Sequence, residues 1–271
     1  MVRKLLKHEF IYYFRSFGVF LPIVFLIAAV TRISLSFADE KLAYEIAAAS
    51  SVTMLAVSCT ALIIFSLFAG IVRFYKNMYS AEGYLTFTLP VSNAQHIFVK
   101  LVAALACIII CAVTVAAAVF ISTPIDSLGE FFGGLYDFYD FASGGVGTGN
   151  AIAFIIEGLL IAILYTAYCL LLGYACITVG QTAKKHRILK AIGAYYVYYI
   201  AGQVIGTTFS IAIASVDVPA ATDKVVEVLE SADYILAGHI VLWAMIFFFA
   251  FMCAVFWLVT QYIMKNKLNL E

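Results

Sequence analysis

Charge is scarce in this chain. Asp, Glu, Lys and Arg make up 12% of its 271 residues, about half the share of a soluble globular domain. Chemistry-bearing clusters are scarce as well. The histidines (His8, His96, His186, His239) stand far apart, without metal-ligand spacing. No Ser-His-Asp or H-E-x-x-H grouping occurs, and no pair of glutamates recurs as in intramembrane proteases. The cysteines (Cys59, Cys107, Cys111, Cys169, Cys176, Cys253) fall inside apolar runs and form no C-x-x-C pair. They read as small buried hydrophobes rather than disulfide or metal ligands. The glycine-rich run Ser143–Gly149 lacks the Lys-Ser/Thr of a phosphate loop and follows no strand, so it reads as a flexible connection. An enzyme, a metalloprotein or a nucleic-acid binder is therefore not expected, and no cofactor is assigned to this chain.

What is present is apolar. Hydrophobic residues form 65% of the chain, and the mean hydropathy is +1.03. A helix needs about 20 residues to cross a bilayer. Six runs reach that length, near 17–37, 46–72, 93–122, 151–180, 191–215 and 235–264. The fold class expected is an all-α integral membrane protein, with residues 1–271 as a single transmembrane domain. The basic opening, with Arg3, Lys4 and Lys7, is followed by no A-x-A-like cleavage site, so the first span reads as retained. Residues 1–16 read as an amphipathic interfacial helix, or as the start of the first span. A second amphipathic helix is expected within 216–234, around Val225, Val228 and Leu229.

The distribution of charge sets the topology. With six spans, thirteen Lys and Arg fall with the termini and the even-numbered links: Arg3, Lys4, Lys7, Arg15, Arg73, Lys76, Lys100, Lys184, Lys185, Arg187, Lys190, Lys265 and Lys267. Lys41 and Lys224 fall in the opposite loops, and Arg32 lies inside span 1. The positive-inside rule then places both termini in the cytoplasm of a multi-pass plasma-membrane protein. No loop has room for a soluble domain.

Arg32 and Glu157 are ionisable residues set within spans, which makes them default functional candidates. At 1.5 Å per residue they lie at similar depth, roughly 8–10 Å below the outer interface. They read as an orienting ion pair, or as part of a substrate or proton path. Span 5 carries Gly202 and Gly206 in a G-x-x-x-G pattern, a flat face for packing within the subunit or between subunits. Tyr195, Tyr196, Tyr198 and Tyr199 read as an interfacial aromatic belt or a substrate-contacting patch. Span 2 is rich in Ser and Thr, which allow close helix approach.

Between spans 2 and 3 lies RFYKNMYSAEGYLTFTLPVS, residues 73–92. It interleaves aromatics with Arg73, Lys76 and Glu82. Its pattern reads as a short amphipathic helix, a break at Pro90, and a restart capped by Ser92 with Gln95. An ordinary loop would hold more Gly, Pro, Asn and Lys.

This segment, after a second hydrophobic span, resembles the permease subunits of type 2 ABC transporters of Gram-positive bacteria. The motif-like part of the resemblance covers these twenty residues; span number and topology carry the rest. It implies that the segment is a cytoplasmic coupling helix that docks on a separate ATPase subunit, which would bind ATP and Mg. Arg73, Lys76 and Glu82 would orient the dock. Phe74, Tyr75, Met78, Tyr79 and Tyr84 would fill pockets on the partner, and Gly83 would let the backbone turn. The resemblance also implies a homodimer or heterodimer of permeases within membrane lipid, with spans 2 and 5 lining the dimer axis. Export of a peptide, drug or lipid-like cargo is the expected direction. The other readings are a secondary carrier or channel using Arg32 and Glu157, and a non-transporting scaffold or immunity factor.

Overall fold

A computed structural model describes residues 2–37, 42–80, 91–124, 148–183, 185–215 and 234–266, with positions 83, 129–130, 133–134, 136–137 and 140 between them. The expected amphipathic helix in 216–234 falls almost entirely outside the described residues, as do the 143–147 glycines, Pro90, Glu82 and Tyr84. The elements are α1 (Val2–Phe17), α2 (Phe20–Ser36), α3 (Leu42–Tyr79), α4 (Asn93–Ser122), α5 (Thr148–Gln181), α6 (Arg187–Ser215) and α7 (Tyr234–Asn266). The chain is all-α, and among the described residues six stretches are long and apolar enough to cross a membrane, α1 and α2 counting as one. It is a multi-pass membrane protein.

The chain divides into two compact units, residues 1–141 and 142–271. In the first, α4 is the central post. It packs against α1, α2 and α3, and its buried positions (His96, Val99, Lys100, Ala103, Cys107, Cys111, Thr114, Ala118) recur at helical spacing. Small residues at Ala103, Ala104 and Cys107 allow that close approach. The start of α4 is capped as its sequence predicts. The Gln95 backbone N–H donates to Ser92 Oγ (3.4 Å), and the Ser92 N–H donates to Gln95 Oε1 (3.2 Å). At Gly18, between α1 and α2, a Cβ would lie 2.7 Å from the Phe14 carbonyl oxygen. Thr31 ties α2 to α3 by donating to the Ser51 carbonyl (3.2 Å) as well as to Ile27 of its own helix. Most hydroxyls of span 2, among them Ser50, Ser58 and Thr60, donate to carbonyls of their own helix.

Helix α3 differs from expectation. Its 38 residues run without interruption through Arg73–Tyr79. That is about 57 Å of helix, nearly twice the hydrocarbon thickness of about 30 Å. The segment read as a separate short helix is thus the end of a long rod. The reason is in its buried face. Leu55, Cys59, Leu62, Ser66, Gly70, Phe74 and Met78 follow one another at spacings of three and four, so the core stripe continues past the apolar run.

In the second unit α5 packs against both α6 and α7. An aromatic ladder joins them. The Tyr168 and Tyr198 hydroxyls lie 2.6 Å apart, and Phe256 packs on both rings. Of the tyrosine cluster, Tyr198 therefore turns inward, while Tyr195, Tyr196 and Tyr199 are exposed. The six cysteines are free.

Candidate functional site

The residues singled out after span 2 separate into two sets. Phe74 and Met78 are fully buried in the first unit. This corrects the expectation that they fill pockets on a partner, because their side chains already complete the α3 core stripe. Tyr75 and Tyr79 are half-buried, and Lys76 is exposed. Tyr79 packs edge-on against Phe74 (5.9 Å) and beside Tyr75 (6.5 Å), so one half of the aromatic set supports the other. Gly83 is buried, and its N–H donates to the Ser80 carbonyl (2.8 Å). A Cβ there would stand 2.6 Å from the Met78 carbonyl oxygen, so only glycine fits this close turn.

Arg73 faces inward as well, and leads to a cluster that the sequence reading did not assemble. Its Nε donates to Glu9 Oε2 (3.1 Å), and its guanidinium sits 3.7 Å over the Tyr12 ring. Asn77 Nδ2 donates to Glu9 Oε1 (2.7 Å). Lys100 Nζ donates to the same oxygen (2.9 Å). The Glu9 and Lys100 side chains are 4% and 3% exposed, whereas Arg73 keeps 16%. One carboxylate on α1 therefore holds the last turns of α3 and the second turn of α4. In a dry environment such charge-assisted bonds fix geometry strongly. His96, one turn before Lys100, is fully buried, and neither ring nitrogen has a hydrogen-bond partner among the described residues.

Glu157 has a partner that was not foreseen. His239 Nδ1 of α7 lies 2.9 Å from both of its carboxylate oxygens. The imidazole stacks on Phe154 at 4.2 Å and 4°. The Glu157 carboxylate thus has a partner within the second unit. Arg32 lies on α2 in the first unit and is half-buried. Gly202 and Gly206 are exposed, and a Cβ at either would meet nothing within 4 Å.

The fold and this geometry define a multi-pass helical membrane protein with a braced polar and aromatic end on its longest helix. No protein-family model, no curated protein and no solved structure matches the chain.

Proposed function

We propose that this chain is the permease subunit of an ATP-driven ABC transporter. The carrying observation is the end of α3. It projects well beyond a bilayer's thickness as one rigid helix, and it is tied by Arg73 and Asn77 through Glu9 to α1 and α4. A push on Tyr75, Lys76 or Tyr79 would then travel to the helices of the first unit without being absorbed by a flexible joint. The ATPase is a separate subunit that binds ATP and Mg. Both termini and the α3 end lie in the cytoplasm, as the Lys and Arg distribution supports. Two permeases, identical or related, pair in the plasma membrane, and the G-x-x-x-G spacing of Gly202 and Gly206 suits that contact. Export of a peptide, drug or lipid-like cargo is the direction favoured, and no nucleic acid is involved.

The test is affinity purification in mild detergent after co-expression with the product of a neighbouring gene that carries an ATP-binding motif. Wild type recovers the ATPase in stoichiometric amount, and Tyr79→Ala with Gly83→Pro loses it. Failure of wild type to recover any ATPase overturns the proposal. A second reading, a secondary carrier, draws on the Glu157–His239 pair, since ionisable pairs in a span often handle protons or ions. Proton-dependent uptake lost in Glu157→Gln would favour it.

A further inference from the structure

The first unit contains a cavity of about 320 Å³ between α1, the beginning of α2 and the middle of α4. Phe10, Tyr13, Phe14 and Phe17 form one wall; Cys107 and Ile110 lie opposite. The cavity reaches the flank of the bundle, where Phe14 is 78% and Ile110 51% exposed. Tyr13 is the polar exception in the lining, and its buried hydroxyl has no hydrogen-bond partner among the described residues.

The same face of α1 changes character toward its start. Arg3, Lys7, Phe10, Phe14 and Phe17 recur at spacings of three and four, so they form one stripe. Arg3 and Lys7 are exposed. Lys7 and Phe14 are two turns apart, about 10 Å along the axis. Every exposed charge on α1 is basic, and its one acid, Glu9, is buried and already bound by Arg73 and Lys100. The stripe is thus cationic at one end and a greasy groove at the other. Helix α1 continues into α2 as part of one membrane-crossing stretch, Val2–Ser36. The cations therefore stand on the headgroup side of the groove, and the groove on the side of the apolar α2.

We propose that this groove is a binding site for an acidic phospholipid of the surrounding membrane. One acyl chain lies between Phe14, Phe17 and Ile110. The phosphate sits at Arg3 and Lys7. Such a lipid would fill the flank of the joint between α1, α2 and α4. The site holds whatever the chain transports, since it requires only a membrane.

The chain has two tryptophans, Trp243 and Trp257, both in α7. With both changed to Phe, Phe14→Trp gives a single reporter in the cavity wall. The full chain is placed in phosphatidylcholine vesicles containing a small fraction of brominated phosphatidylglycerol or brominated phosphatidylcholine of equal chain length. The expected result is several-fold stronger quenching by the acidic lipid, since each contacting cation contributes roughly fivefold. Arg3→Gln with Lys7→Gln should abolish that preference, and Lys4→Gln with Arg15→Gln, off the stripe, should keep most of it. These side chains are exposed, so the fold is not at risk. Equal quenching by the two lipids overturns the site, because it describes ordinary boundary lipid. An equal loss from either pair of substitutions also overturns it, in favour of general attraction to the helix.

Discussion

Replacing Glu9 by Gln tests the buried cluster quantitatively. At 2.9 Å from Lys100 and 3.1 Å from Arg73, Coulomb's law with an effective dielectric near 20 gives about 6 and about 5 kcal/mol of attraction. Desolvating each ion costs several kcal/mol, so the intact cluster contributes little net stability. Removing one member is different. With Glu9→Gln, Arg73 can turn toward water, since it keeps 16% exposure and rests on Tyr12. Lys100, at 3% exposure, cannot. The loss should be about 3–5 kcal/mol, the cost of an uncompensated buried charge. Lys100→Met alone leaves Glu9 bound by Arg73 and Asn77 and should cost less. The double variant Glu9→Gln/Lys100→Met has no stranded ammonium and should recover at least half of the single loss. Equilibrium unfolding in mixed SDS–detergent micelles reads all four corners of the cycle. Strictly additive losses would refute the claim that Lys100 depends on Glu9.

Two further outcomes follow from the second unit. Glu157→Leu strands the His239 Nδ1 and should cost about 1–3 kcal/mol; Glu157→Leu/His239→Phe should restore most of it and keep the ring stack on Phe154, as read by unfolding in the same micelles. Gly180→Ala places a methyl 2.6 Å from both the Ala191 Cβ and the Arg187 carbonyl oxygen, so unfolding in the same micelles should show a loss of about 1–3 kcal/mol. Adding Ala191→Gly should relieve only part of that loss, because the carbonyl stays, and full rescue would contradict the packing.

The helices were legible because long apolar runs report their own existence. The α4 start was legible because a capping box is local: Ser92 and Gln95 bond within one turn. The continuity of α3 was missed because Arg73 and Lys76 look like the end of a span. The stripe from Leu55 through Gly70 to Phe74 and Met78 would have revealed it. The Glu9 cluster joins residues 64, 68 and 91 positions apart, which no local pattern specifies. A signal was available, since Lys100 lies seven residues into an apolar run and requires an anion there. Glu9 was the acid on the face that carries Tyr13 and Phe17. His239, five residues into the last span, pointed to Glu157 by the same logic.

The central claim is that the far end of α3 meets an ATPase through the side chains left outward. A photo-reactive phenylalanine analogue at Tyr75, Lys76, Phe74 or Met78, one site per variant, tests it most directly in cells that also express the ATPase recovered with the chain by affinity purification. The account predicts adducts with the ATPase from positions 75 and 76, and none from the buried positions 74 and 78. Adducts from 74 or 78, or none from 75 and 76, would contradict it.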